Sequence, residues 1–102
     1  MKIVAITACP TGIAHTYMAA DKLSDTAKKL GITIKVETQG AMGIENRLTE
    51  QDIHRADIVV MAADIRVEYG ERFESKLCVN VSIQDALKKP QSIFSQCQKL
   101  MK

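Results

Sequence analysis

The sequence predicts an α/β fold: a four-stranded parallel sheet with helices on both faces, forming a single domain over residues 1–102. Three observations carry this expectation. Ile3–Ala8 and "DIVVMAAD" at Asp57–Asp64 are continuous apolar runs of strand length, the pattern of strands covered on both faces. Helical spacing alternates with strand patterns along the whole chain, as a parallel sheet joined by right-handed crossovers requires. No linker, internal repeat or low-complexity tract interrupts the alternation, and 102 residues suffice for one core.

The elements follow in order. After the first strand, Thr16–Leu30 reads as a helix with Ala19, Leu23, Ala27 and Leu30 on one stripe and Asp21, Lys22, Asp25, Lys28 and Lys29 off it. Lys28 and Lys29 suit the negative helix end, and Gly31 can supply the left-handed residue that closes it. "ITIKVET", Ile32–Thr38, alternates with β-branched residues and predicts the second strand. Gln39–Asn46 reads as a glycine-containing loop. Thr49 is placed to cap a short helix, "EQDIHRA". The third strand is Asp57–Asp64, and a short helix around Glu71–Lys76 leads to the fourth, "LCVNV". Ser82 with Asp85 resembles a capping box opening a last helix, in which Ile83, Leu87, Phe94, Cys97 and Met101 recur at helical spacing. Pro90 should kink or divide that helix.

Composition excludes several classes of function. An apolar fraction of 46% and a charged fraction of 25% are ordinary for a soluble domain. A net charge of +2, with no basic block and no aromatic platform, gives no footprint for nucleic acid. No apolar run approaches the roughly 20 residues that span a bilayer, so direct membrane insertion is not expected. The N-terminal segment reads as a strand and not as a signal peptide. Three cysteines (Cys9, Cys78, Cys97), without CxxC or metal-ligand spacing, predict reduced thiols in the cytoplasm and neither metal nor cofactor.

A sheet of this kind in the order 2-1-3-4 is a small flavodoxin-like or Rossmann-like three-layer sandwich. Its ligands bind outside the carboxyl ends of the strands, where the strand order reverses. Cys9 stands at that point, in "KIVAITACPTGIAHTYMAADKL". Pro10 keeps Cys9 out of the helical region, so the thiol ends the strand and does not enter the helix. Thr11, Gly12, Ile13, Ala14, His15 and Thr16 each then offer a main-chain N–H, and Gly12 and Ala14 are small enough for close wrapping. Such a loop entering a helix N-terminus is an anion cradle that also favours the nucleophilic thiolate. The helix dipole contributes about 0.3–1 kcal/mol, whereas each hydrogen bond to a charged group contributes roughly 1.5–3 kcal/mol. The cradle is therefore chiefly hydrogen bonding.

A thiolate in an anion cradle suggests a phosphocysteine. A Walker P-loop is excluded, because no Gly-Lys-Ser/Thr ends the loop. A low-molecular-weight tyrosine phosphatase shares the strand–Cys–loop–helix layout but closes a Cys-x5-Arg loop with arginine; here His15 is followed by Thr16. Ester hydrolysis needs that arginine for the equatorial oxygens and an acid for the leaving group. A carrier must instead hold phosphate without yielding it to water, so the residue types favour a carrier. A non-catalytic anion-binding regulatory module is the third reading.

"ACPTGIAHT", followed by "MAADKL", "VETQGAMGIENRLT" and "ADIVVMAADI", resembles the fructose-family EIIB components of the bacterial phosphoenolpyruvate-dependent sugar phosphotransferase system, from Ile3 to about Ala86. The resemblance implies a phosphoryl relay. A phosphohistidine on EIIA donates to Cys9, and phospho-Cys9 donates to a fructose or fructose-like sugar held in membrane-embedded EIIC. The activity implied is that of a protein-N(π)-phosphohistidine–sugar phosphotransferase subunit, cytoplasmic and peripheral to the inner membrane through EIIC. "RFESK" also fits, whereas "IRVEYGE" and the tail after Lys89 carry less of the pattern.

Roles around Cys9 follow. Residues 11–16 are expected to donate main-chain N–H groups to phosphate, with the hydroxyls of Thr11 and Thr16 either in contact or capping the helix. His15 either donates to the phosphoryl group or caps the loop, and has no partner spaced for metal binding. The segment 39–43, with Gln39 and Gly40 as its accessory candidates, should lie beside the cradle, as a turn needing two glycines or as a contact to phosphate or partner. Asp64, ending the third strand, orients the neighbouring loop, or is the acid if the chain hydrolyses phosphate. His54 reads as surface charge, Arg66 and Arg72 as surface charge or as contacts to an acidic partner surface, and Cys78 and Cys97 as core thiols.

Overall fold

The structure, a computed structural model, describes residues 1–9, 13–41 and 43–101, with the Ile13 side chain excepted. The elements are β1 (Lys2–Ala8), α1 (Ile13–Lys29), β2 (Thr33–Gly40), β3 (Gly43–Glu45), α2 (Glu50–Arg55), β4 (Ile58–Ala63), a 3-10 turn (Gly70–Phe73), β5 (Cys78–Val81), α3 (Ile83–Lys88) and α4 (Pro90–Leu100). The sheet order is β3-β2-β1-β4-β5.

The pairs β1–β2, β1–β4 and β4–β5 are parallel, so the predicted four-strand order stands. One correction concerns the second strand and the loop after it. β2 runs on to Gly40, and β3 returns antiparallel beside it, pairing Gly40 with Gly43. Three residues are too few to give a strand pattern in sequence. Gly43, at φ 90°, supplies the backbone shape that turns the chain back. The sheet therefore has five strands and is mixed.

Residue parity sorts the two faces of β1, because successive side chains point to opposite sides. Ile3 and Ala5 join Ala19, Leu23, Ala27, Ile83, Phe94 and Cys97 under α1, α3 and α4. Val4 and Ile6 join Leu48, Ile53, Ala56 and Phe73 under α2 and the 3-10 turn. This double cover explains why β1 and β4 read as unbroken apolar runs.

α1 ends one residue earlier than its stripe implies. Leu30 is exposed, and Ile32 takes the inward place. Gly31, at φ 72°, makes that switch: its N–H donates to Lys28 and the Ile32 N–H to the Ala27 carbonyl, closing a Schellman motif. Thr49 and Asp52 cap α2 reciprocally, as do Ser82 and Asp85 at α3. Pro90 divides the last helical stretch by serving as the first residue of α4. Met101 lies exposed beyond the end of that helix.

Candidate active site at the carboxyl end of β1

The site is built where β1 ends between β2 and β4. Ala8 pairs with Gln39 on one side and Ala63 on the other, so Cys9 follows at the reversal of strand order. The Asp64 N–H donates to the Ala8 carbonyl at 3.1 Å and anchors the β4 side of this edge. Cys9 packs against the α1-side core and keeps 8% of its surface open.

α1 begins at Ile13, four residues after Cys9. First-turn N–H groups of an α-helix have no acceptor within the helix, and they carry the positive end of its dipole. No acidic residue sits in the first turn of α1 to offset it. Ala14 and His15 are exposed there, while Thr16 is buried. The Thr16 carbonyl accepts from Thr7 Oγ1 at 3.0 Å, which fastens the first turn of α1 to β1. A Cβ at Gly40 would lie 3.8 Å from Thr16 Oγ1, so the end of β2 abuts the same turn. The expected cradle positions Pro10, Thr11 and Gly12 lie outside the described residues, as does the Ile13 side chain.

Gln39 and Gly40 lie at this edge, but the Gln39 side chain is turned toward the β4 loop. Its Oε1 accepts from the Glu68 N–H at 2.8 Å. Its Nε2 donates to the Glu68 carbonyl at 3.0 Å and to Glu37 Oε2 at 2.8 Å. Asp64 Oδ1 accepts from the Ile83 N–H at 3.2 Å, so this carboxylate serves the start of α3. His54 is exposed on α2, as expected. Cys97 is fully buried and Cys78 half-buried, and burial pushes both thiols up from their ordinary values. Among the described residues, no group of three His, Cys, Asp or Glu could hold a metal ion.

Sequence reasoning missed Glu37 and misread Arg72. Glu37 has no exposed surface, yet it is charged. Its Oε1 accepts from the Leu48 N–H at 2.8 Å and from Arg72 Nη1 at 3.1 Å. Its Oε2 accepts from Arg72 Nη2 at 2.9 Å as well as from Gln39. Burial alone would raise this carboxyl. The bonds from Arg72, Gln39 and Leu48, with the Arg72 charge, outweigh it and hold Glu37 below the usual range. Arg72 Nε also donates to the Tyr69 carbonyl at 2.8 Å. Tyr69 is a non-glycine residue in left-handed backbone, at φ 58°, with the Arg47 guanidinium 4.6 Å from its ring centroid. In sequence, Glu37 occupies the polar alternation of "ITIKVET" and its partner is 35 positions away, so only the polar residue late in a β-branched run could have flagged it.

An open groove of about 880 Å³ lies beyond the ends of β4 and β5, lined among others by Ala63, Ile65, Arg66, Tyr69 and Glu71. Cys9 does not line it. Among the described residues, no helix is long and apolar enough to cross a membrane.

Comparison with known proteins gives concordant results. A family model described as "PTS system, Lactose/Cellobiose specific IIB subunit" matches residues 4–96. The chain is 50% identical over 97 residues to "PTS system fructose-like EIIB component 2" of Escherichia coli K12, covering 95% of this chain and 92% of that one. It is also 50% identical over 95 residues to the Bacillus subtilis "PTS system fructose-specific EIIABC component", covering 93% of this chain and 15% of the longer one. Among solved structures, the enzyme IIB subunit of the PTS system from Escherichia coli K12 superposes with a TM-score of 0.92 at 43% identity, covering 98% of this chain and 93% of that one.

Proposed function

The chain belongs to the fructose-like IIB components of the sugar phosphotransferase system, a phosphoryl-relay family, and we propose that Cys9 is the atom on which its phosphoryl group rides. The observation that carries this assignment is the placement of Cys9. It is the first residue past the central strand, at the reversal of strand order, four residues before a helix whose first turn holds no acidic side chain.

The relay has two balanced steps. In the first, the Cys9 sulfur attacks phosphorus on a phosphohistidine of EIIA. The S–P bond forms as the P–N bond breaks, the electron pair returns to the imidazole nitrogen, and the thiol proton replaces phosphorus there. In the second, a sugar hydroxyl bound by EIIC attacks phosphorus. The O–P bond forms, the S–P bond breaks, and the hydroxyl proton restores the thiol. Both transition states carry charge on the three equatorial phosphoryl oxygens, and the main-chain N–H groups of residues 11–16 are the donors assigned to them. His15, exposed in the first turn of α1, is assigned to the same role or to capping the loop. Narrow access to Cys9 suits a carrier, since water must be kept from the S–P bond while a partner delivers its reacting atom.

The finer reading is a protein-N(π)-phosphohistidine–sugar phosphotransferase subunit acting on fructose or a fructose-like hexose. It works in the cytoplasm beside membrane EIIC. The Bacillus subtilis relative, whose name joins A, B and C components in one chain, supports the pairing with EIIA and EIIC. The sugar rests on relatives' names, and the family description names lactose and cellobiose instead. A phosphatase-like hydrolase and a non-catalytic anion-binding module are not favoured: the relatives are EIIB components, and Asp64, the acid a hydrolase would need, is engaged with α3.

The test is incubation with phosphorylated EIIA, followed by mass spectrometry for an acid-stable, alkali-sensitive adduct. A single phosphoryl gain on Cys9 that is lost in Cys9→Ser is expected. No gain on Cys9, or transfer unchanged by that substitution, rules the assignment out.

A further inference from the structure

We propose that Glu37 and Arg72 are positioning residues for phosphoryl transfer, forming a buried clasp that holds the β2 wall of the Cys9 site in place. This rests on the reading of Cys9 as the phosphoryl carrier. The clasp reaches the site through hydrogen bonds and strand register. Arg72 and Leu48 fix the Glu37 carboxylate with three hydrogen bonds, and Gln39 adds a fourth. Gln39 is thereby locked between Glu37 and both main-chain groups of Glu68. Gly40 follows, so close to the first turn of α1 that an added Cβ would touch Thr16, and Gln39 itself lies level with Ala8, one residue before Cys9.

Two physical arguments separate this role from simple stabilisation. A buried ion pair is a poor source of stability, because desolvation offsets much of the attraction and an apolar pair of similar size often serves as well. Charges do differ from apolar groups in direction: a guanidinium fork and a carboxylate fix angles as well as distances. The segment they hold, from Glu68 to Arg72, has only a single 3-10 turn of its own and includes the left-handed Tyr69. A directional clasp is what such a segment requires to stand still beside a reacting atom.

The experiment follows phosphorylation of Cys9 by phosphorylated EIIA, with the saturated rate, the half-saturating donor concentration, the lifetime of phospho-Cys9 and the melting temperature all read. Glu37→Gln and Arg72→Lys should each slow the saturated rate by about ten- to a hundredfold, the scale of small misplacements near a reacting centre. Half-saturation should stay within about twofold, and phospho-Cys9 should hydrolyse faster in both variants. The double variant Glu37→Gln with Arg72→Met removes both charges while leaving an acceptor for the Leu48 N–H. It should recover melting temperature without recovering rate or phosphocysteine lifetime. Recovery of rate together with stability would mean the clasp only stabilises the fold, and would overturn the proposal. So would single variants with wild-type rates, or a change confined to half-saturation. A wild-type protein that takes up no phosphoryl group on Cys9 removes the underlying reading and this inference with it, an outcome distinct from a phosphorylated wild type with indifferent variants.

Discussion

Replacing Arg72 with alanine gives the clasp its sharpest energetic test. The substitution leaves the Glu37 carboxylate with no surface exposure and only the Gln39 and Leu48 donors. Removing one partner of a buried pair costs about 3–5 kcal/mol. The Arg72 side chain retains 16% exposure, so water can enter the vacated space, and the lower end, about 3 kcal/mol, is expected. For a domain near 100 residues, each kcal/mol lowers the melting temperature by about 4–8 °C, which predicts a fall of roughly 12–24 °C at pH 7. The pH dependence carries the mechanism. In the wild type, Glu37 is held below its ordinary range, so its contribution is complete above the unfolded value of about 4.3 and fades as pH falls through the folded value. In Arg72→Ala, burial is opposed only by the Gln39 and Leu48 bonds and pushes the carboxyl up from its wild-type position. The penalty is then full at pH 7 and disappears as the group takes up a proton on acidification. Thermal and urea unfolding at pH 7 and pH 4 should show the gap between the two proteins narrowing in acid. A loss under about 1 kcal/mol at pH 7, or a gap unchanged at pH 4, would refute the reasoning.

Other perturbations have definite expected outcomes. Phe94→Ala opens a cavity in the α1-side core, where Phe94 is fully buried, and should cost about 3–5 kcal/mol in urea unfolding. Gly43→Ala meets no neighbour but must hold φ near 90°, so it should lose about 1–2 kcal/mol through backbone strain alone. Gly40→Ala, whose Cβ would make an ordinary contact with Thr16, should lose less than Gly43→Ala. Lys35, followed by the Thr49 cap, lowers the Asp52 carboxyl to about 2, which carboxyl NMR titration can read directly. That contribution is present above the unfolded value and lost as pH falls toward 2, and Lys35→Met should move the midpoint upward.

Much of this architecture was legible because it is written in local chemistry. The runs Ile3–Ala8 and Asp57–Asp64 announced strands covered on both faces, and Gly31, Thr49, Ser82 and Pro90 marked where helices stop and start. Cys9 was legible as the residue at the carboxyl end of the central strand, since a residue before proline is kept from helical backbone angles. The rest depended on pairings that local pattern does not encode. β3 is three residues long, below any periodic signal, and exists because Gly40 and Gly43 let β2 fold back. Leu30 fits the helical stripe but falls after the last turn, where the chain has already changed direction. Glu37 and Arg72 each look like surface charge alone, and only the folded sheet brings them together out of water.

The ends of the sheet bear on how such a carrier must live. On one side it finishes in the three-residue β3, flanked by Glu45, whose carboxylate holds Tyr17. On the other it finishes in the four-residue β5. Both terminal strands are brief, and on the stretch of β2 that β3 leaves uncovered the charged Lys35, ion-paired with Asp52, works against addition of a strand from another polypeptide. A messenger that must let go of one partner before meeting the next is served by borders this brief, because an association zipped along a backbone would outlast the errand.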